Sequence, residues 1–395
     1  MKTVKDLVVK DKVVFLRLDL NVPLKDGRIT DETRITASLP TIQYLMDQGS
    51  KIVMTSHLGR PKTAEDKKYS LEPVGKRLSE LLNAEVILVE EPGGDAVKQL
   101  IMGLRKGQLI LLENVRFVPG ETKNSVEFAQ RLAKDIDVYV NDAFGASHRA
   151  HSSIHALPEL IKEKGVGFLI EKEIQMLDQL IENPKSPYFA VLGGAKISDK
   201  IAVIEKLIDI VDGFIIGGAM AYTFLKAQGR EVGKSLVEED KLKYANEMMG
   251  RIEARRKTLL LPVDHLVSQG IADTTNTRVT TDANMKANEL GVDIGPRTIE
   301  NFATALKSAA TVFWNGPMGI FETAEFSKGT FAMAKAVADC PGLKIVGGGD
   351  SAAAAEDSGY ASKMTHISTG GGASLEYLQG EKLPGLEVLR TKIRS

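Results

Sequence analysis

The chain has 395 residues, a length that predicts two or three domains with room for large cores. Hydrophobic residues make up 43% and charged residues 26%, which excludes a disordered or fibrous chain. With 51 Lys and Arg against 52 Asp and Glu, bulk charge points neither to nucleic acid nor to an anionic membrane, so any anion site must be local. The single cysteine, Cys340, cannot form an intrachain disulfide and suits a reducing compartment, with the cytosol as the expectation. No apolar run approaches the roughly 18 residues of a membrane span, and the opening MKTVKDLVVKDKVVFL breaks its apolar residues with charges, unlike a signal peptide.

In chain order, VVFLRL (13–18), KIVMTS (51–56), EVILV (85–89), LILL (109–112) and VYV (138–140) predict buried strands. Between several of them lie amphipathic stretches such as DETRITASLPTIQYLMDQG, with a cap expected at Thr30 or Asp31 and a stop at Gly49. Strand alternating with helix predicts a parallel sheet covered on both faces. From Val166 to Glu182 the apolar residues keep helical spacing until Pro184 and Pro187, which predicts an interdomain helix over 166–182. Beyond it, FAVL (189–192), GFII (213–216), TLLL (258–261), TVFW (311–314), LKIV (343–346) and THIS (365–368) predict a second parallel sheet. Four of these strands run into glycine and then a helix: GGAKISDKI, GGAMAYTFL, GGGDSAAAAED and TGGGASLEYL. The expected fold class is therefore α/β, two doubly wound parallel-sheet (Rossmann-like) lobes.

Ligands of open α/β sheets bind beyond the carboxyl ends of the strands. In the first half that edge is cationic: Arg17 precedes Asp19 and Asn21, SHLGRP carries His57 and Arg60, ENVRF carries Arg116, and NDAFGASHRAHSS carries His148, Arg149 and His151. Arg34 opens the first helix. Any one of these is ordinarily a solvated surface charge, and Asp19 with Asn21 could simply shape the turn before Pro23. Five separate returns of cations to one edge instead describe a basin of guanidinium forks for a small polyanion. A zinc set of His57, His148 and His151 is disfavoured because the arginines would repel a divalent cation.

The second half offers backbone amides at helix starts uncovered by glycine, where the positive end of the macrodipole attracts phosphate. One such turn is only what a tight strand-to-helix junction accepts. Four of them, with Lys196 and Lys200 read as one turn apart and Asp350 inside GGGDS, favour a polyphosphate with Mg²⁺, which prefers one or two carboxylates plus phosphate oxygens. GREVGKS (229–235) is one residue short of a Walker A loop. GGGDSA (347–352) satisfies a dinucleotide fingerprint but lacks the acidic residue expected about 20 positions on, leaving a nicotinamide dehydrogenase as the alternative, with a non-catalytic two-lobed sugar-phosphate binding protein as a third reading.

Taken together, RLDLNVP, SHLGRP, ENVRF, NDAFGASHRAHSS, LGGAKISDK, WNGPMGIFE, GGGDSAA and HISTGGGASLEYLQG resemble the phosphoglycerate kinase family, in order and over nearly the whole chain. The resemblance implies a hinge-bending, bilobal, monomeric, cytoplasmic enzyme of glycolysis. It would exchange a phosphoryl group between 1,3-bisphosphoglycerate and Mg-ADP, giving 3-phosphoglycerate and ATP, with no nucleic-acid or membrane partner. It also implies an amino-terminal phosphoglycerate-binding domain (1–165), an interdomain helix (166–182), a nucleotide-binding domain (183–375) and a chain end (376–395) returning to the first domain. Asp19, Asn21, Arg34, His57, Arg60, Arg116 and Arg149 would take the acid substrate. Gly194, Ala195, Lys196, Lys200, Gly217, Gly218, Asn315, Glu322, Gly348, Gly349, Asp350 and Ser351 would take the nucleotide, with Gly291 and Val292 near adenine, Glu322 on the ribose and Asp350 on the metal. Arg34, Lys200, Gly371 and Gly372, with Gly370 beside them, would face the phosphoryl in flight. Leu20, Ser147, Ala219 and Arg297 depart from the family's usual residues without removing a functional group.

Overall fold

The computed structural model describes residues 1–63, 65–105 and 108–390, so the last five residues of the expected returning chain end, 391–395, lie outside the described residues. The chain divides into two compact units, one holding Met1–Gln175 together with the chain from Glu381, the other Met176–Gly380. No helix among the described residues is long and apolar enough to cross a membrane.

The first unit is built on a six-stranded sheet in the order Glu85–Val89, Gln108–Leu112, Lys51–Thr55, Val13–Leu18, Val138–Asp142, Glu163–Val166. Every pairing is parallel. The central strands are buried on both faces, which is why they read as largely apolar runs, with Arg17, Thr55, Asn141 and Asp142 as buried polar residues toward their carboxyl ends. On one face Val14, Leu16, Leu18, Ile52, Met54, Leu109, Leu111, Val138 and Val140 meet Ile35, Ile42 and Leu45 of the helix Thr33–Asp47 in one core. Burial of each such side chain contributes about 1.5 to 3 kcal/mol, enough in sum to hold the strand ends rigidly in register.

The second unit repeats the plan in the order Thr258–Leu260, Gly213–Ile216, Tyr188–Leu192, Thr311–Asn315, Leu343–Val346, His366–Ile367, again all parallel. Trp314, Val312, Val191, Ile215 and Val346 pack with Phe302, Leu306, Met333 and Val337 in its core. A separate antiparallel sheet joins His265–Ser268, Arg278–Val279 and Leu290–Ile294.

Several elements differ from expectation. The first helix starts at Thr33 rather than beside Thr30, because Asp31 Oδ1 accepts from the Thr33 amide at 2.8 Å and holds the preceding turn open. It ends at Asp47, and Gly49 takes the left-handed φ of +74°. The interdomain helix begins at Phe168, because Glu163–Val166 is a strand paired with Val138–Asn141. It runs to Ile181.

Candidate active site

Four adjacent strands of the first sheet end together, and the residues that follow them form one basin. The Val13–Leu18 strand delivers Asp19 and Asn21, the Lys51–Thr55 strand His57 and Arg60, the Gln108–Leu112 strand Arg116, and the Val138–Asp142 strand His148, Arg149 and His151. The local order is hydrogen-bonded. Asn21 Oδ1 accepts from the Gly59 amide at 2.7 Å, and Arg116 Nη1 donates to the Gly59 carbonyl at 2.6 Å, so the SHLGRP loop is tied to both neighbouring strand ends. Arg34, from the second residue of its helix, is ion-paired with Asp19. Arg149 Nε donates to His148 Nε2 at 3.1 Å. Arg60 is exposed, whereas Arg34, Arg116 and Arg149 are half-buried.

Sequence reasoning placed Arg17 at this edge but missed its role. Arg17 is wholly buried, donating through Nε to Ser153 Oγ at 2.8 Å, while its Nη2 lies 3.3 Å from His57 Nδ1. Ser153 in turn donates its hydroxyl and its amide to the two oxygens of buried Glu121, at 2.6 and 2.9 Å. Glu121 and Ser153 lie far apart in sequence from Arg17, and no local pattern marks them. Because a guanidinium can only donate, His57 Nδ1 is the acceptor and its Nε2 carries the proton toward the basin.

The electrostatics agree. Burial, reinforced by Arg17, Arg116 and Arg34, holds the His57 imidazole well below its ordinary value against the opposing pull of Asp19. Burial and the neighbouring arginines push His151 down to about 4. Burial would raise Asp19, but the Arg34 guanidinium, with Arg17, holds it below the usual carboxylate range. Burial, Arg149 and Arg17 bring Arg116 down to about 10, still fully charged near neutrality. The basin at neutral pH thus presents cationic arginines, a neutral imidazole donor and one carboxylate already neutralised by Arg34. Such a surface can bind and orient a phosphorylated carboxylate.

In the second unit the glycine turns also collect at one sheet edge. Lys200 donates to Asn315 Oδ1, and Asn315 Nδ2 donates to the Gly347 carbonyl at 2.5 Å, so the Tyr188, Thr311 and Leu343 strand ends are bridged by side chains. Burial lowers the Lys200 ammonium, with Asp199 and Asp350 opposing, which sets Asp350 in its electrostatic reach. Asp350 and Gly349 are exposed in the first turn of the helix Gly349–Asp357, entered through Gly348 at φ +90°. Gly371, at φ +53°, enters the helix Gly372–Leu378, while the Gly370 amide is already held by Ser368 Oγ at 3.1 Å.

Other residues stand differently from expectation. Lys196 and Lys200 are not one helical turn apart, because the helix proper starts at Ile201 and the segment before it is an irregular turn entered through Gly194 at φ +102°. Lys196 and Ala195 are exposed there. Gly217 and Gly218 are buried; an added Cβ would meet the Met318 side chain at 2.4 Å at Gly217 and the Gly194 amide at 2.5 Å at Gly218, where close backbone packing already requires glycine. Ser351 accepts from the Gly316 amide at 2.5 Å and faces the protein. Val292 is buried in the antiparallel sheet, and a Cβ on Gly291 would strike the Tyr222 hydroxyl at 2.0 Å. The Ile320 amide donates to the Val292 carbonyl at 2.9 Å, which brings that strand against the loop leading to exposed Glu322.

The chain is similar to known proteins over its whole length. A family model described as phosphoglycerate kinase matches residues 4–381. The phosphoglycerate kinase of Bdellovibrio bacteriovorus is 71% identical over 394 residues, covering 100% of this chain and 98% of that protein. That of an Anaeromyxobacter species is 51% identical over 392 residues, covering 98% and 99%. The crystal structure of phosphoglycerate kinase from Pyrococcus horikoshii aligns with a TM-score of 0.84 at 35% identity over 99% of this chain and 98% of that one. The structure of the enzyme from Coxiella burnetii aligns over the full length of both chains with a TM-score of 0.89 at 39% identity. Neither a dehydrogenase nor a non-catalytic binding protein is supported by these matches, and the chain belongs to the phosphoglycerate kinase family.

Proposed function

We propose that the first unit takes the phosphoglycerate and the second the nucleotide in the family's reaction. That reaction is the reversible transfer of a phosphoryl group from 1,3-bisphosphoglycerate to ADP, giving 3-phosphoglycerate and ATP. The observation that carries this assignment is the basin itself: four neighbouring strand ends supply Asp19, Asn21, His57, Arg60, Arg116 and Arg149, joined by Arg34 from the first helix. Guanidinium forks match phosphate and carboxylate oxygens in pairs, and a neutral His57 adds a directed donor.

On the second unit, the start of the Gly349–Asp357 helix, Lys200 and Asn315 form the phosphate end of the nucleotide site, with Gly291, Val292 and Glu322 toward the base and sugar. Among the described residues no cluster of three or more His, Cys, Asp or Glu is arranged to hold an ion. The exposed carboxylate of Asp350 fits an Mg²⁺ that arrives with phosphate oxygens completing its shell. Bound there, Mg²⁺ would supply charge neutralisation to those oxygens. The attacking oxygen, of ADP or of a carboxylate, is already ionised at neutral pH, so the residues need only align the reactants and neutralise charge. Arg34 and Lys200, with the amides of Gly371 and Gly372, are assigned to that task. We assign the protein to the cytoplasm, as a monomer.

The test is a coupled assay with 3-phosphoglycerate and ATP, beside calorimetric titration of each substrate. Arg116→Ala should weaken 3-phosphoglycerate and leave Mg-ADP unchanged. A loss of Mg-ADP binding instead would reverse the assignment of the units.

A further inference from the structure

The polypeptide passes between the units twice, inside the helix Phe168–Ile181 at Gln175/Met176 and again at Gly380/Glu381. Within the first unit, the outgoing segment is fastened to Asn141 and Asp142, and the returning segment to Asn141. Asp142 Oδ1 accepts from the Leu169 and Ile170 amides at 2.9 and 3.3 Å, at the start of the outgoing helix. The Phe168 amide is taken by Thr41 Oγ1 at 3.0 Å, from the helix that carries Arg34, and the Gly167 amide by the Asn141 carbonyl at 2.8 Å. Asn141 Nδ2 donates to the Gly385 carbonyl at 3.2 Å on the returning segment, and to Ser147 Oγ at 3.1 Å.

Each crossing segment approaches through a glycine. A Cβ on Gly167 would meet the Asp142 carboxylate at 2.3 Å, and one on Gly385 would meet Ile154 at 2.6 Å and Ser147 Cα at 3.0 Å. Asn141 and Asp142 are wholly buried, and no ion pair reaches Asp142 among the described residues. Burial raises the Asp142 carboxyl to about 7, opposed by hydrogen bonds from Thr41 and from the Ile170 and Leu169 amides at the start of the helix. Asn141 and Asp142 also end the strand that leads into His148, Arg149 and His151, and Asn141 Oδ1 accepts from the Ala143 amide at 3.0 Å at the root of that segment.

We propose that Asp142 is a positioning residue for turnover: with Asn141 and Thr41 it fixes the geometry at which the chain leaves and re-enters the first unit, and ties that geometry to the segment carrying Arg149. It touches neither substrate. Its loss therefore acts on the step that needs both substrates aligned, and leaves the binding of each one alone unaffected.

The decisive set is Asp142→Ala and Asp142→Asn in the full chain, read by kcat, by the separate dissociation constants of 3-phosphoglycerate and Mg-ADP, and by hydrogen exchange at residues 168–170. Asp142→Ala is expected to speed exchange there and to lower kcat about tenfold with both dissociation constants within about twofold of the parent. Asp142→Asn keeps an acceptor for the two amides and is expected to restore most of kcat. Unchanged kcat despite freed amides overturns the proposal, as does a kcat loss without faster exchange, or weakening of either substrate in proportion to kcat. Should Asp142→Ala fail to fold, Thr41→Val against Thr41→Ser decides on the same readouts. Thr41→Val is then expected to show the same split and Thr41→Ser to reverse it.

Discussion

The guanidinium of Arg34 is ion-paired with the carboxylate of Asp19 across the mouth of the basin. A cation in the first turn of a helix is opposed by the macrodipole, by about 0.3 to 1 kcal/mol. Asp19 offsets that opposition in the resting protein. The pair is open to solvent chiefly on the Arg34 side, whose side chain is 31% exposed against 9% for Asp19.

If Arg34 neutralises charge that grows on the phosphoryl group, its contribution is larger in the transition state than in the bound ground state. Arg34→Ala is expected to lower kcat by roughly 10²- to 10³-fold, the scale of losing one preorganised donor. Arg34→Lys should recover only part, since a point charge does not reproduce the fork. Steady-state kinetics beside 3-phosphoglycerate titration checks this; a raised KM with intact kcat would make Arg34 a binding residue only.

Asp350 is exposed in the first turn of its helix, where a carboxylate could serve merely to favour the helix start. Asp350→Asn separates the two roles, because it removes the charge with little change in shape. Folding stability should change by about 1 kcal/mol or less, while nucleotide use at limiting Mg²⁺ should fall steeply. An unaltered Mg²⁺ dependence of turnover would exclude Asp350 from the metal.

The two parallel sheets were legible because both faces of their strands are buried, which leaves runs such as VVFLRL and TVFW dominated by apolar residues, with Arg17 the charged exception. Glu163–Val166 escaped notice because EKGV looks polar; yet Lys164 is buried, with its ammonium donating to the Pro158 carbonyl at 2.8 Å. The antiparallel strands were missed because Arg278–Val279 is only two residues long and an irregularity at Leu266/Val267 breaks the alternation. The cations of the basin were legible from their place after each strand. The Arg17, Ser153 and Glu121 chain was not, because it exists only once distant strands are adjacent.

His265 is wholly buried, its ring edge-on to Tyr222 with centroids 5.6 Å apart. Burial lowers its pKa from 6.5 to about 4, against the pull of Asp264. The unfolded chain therefore binds a proton below about pH 6.5 that the folded chain refuses, so this contribution to stability is full above that pH and lost as pH falls toward 4. The loss amounts to at most about 3 kcal/mol. His265→Phe should flatten the decline of the urea midpoint between pH 7 and pH 4.5 relative to the parent. Parallel declines in the two proteins would show that other groups govern acid sensitivity.

The glycines of the second unit fall into two groups by what lies beside them. Around Gly218, at φ +64°, an added Cβ would strike the Gly194 amide at 2.5 Å and the Pro317 carbonyl at 2.8 Å. At Gly349 and Gly372 nothing stands within 4 Å, and both begin helices. Gly218→Ala must therefore displace backbone and adopt a disfavoured φ, and is expected to cost about 2 kcal/mol or more of stability. Gly349→Ala and Gly372→Ala should fold as well as the parent or slightly better, because alanine favours a helix by up to about 1 kcal/mol over glycine. Their cost should appear in function instead, since a methyl there crowds the space where phosphate oxygens would approach the helix amides. We expect Gly349→Ala to weaken Mg-ADP and Gly372→Ala to lower kcat about tenfold with Mg-ADP affinity retained. Thermal unfolding and calorimetry on the three variants decide the matter: full activity in Gly372→Ala would remove that turn from the chemistry, and normal stability in Gly218→Ala would show that its backbone has room the packing does not suggest.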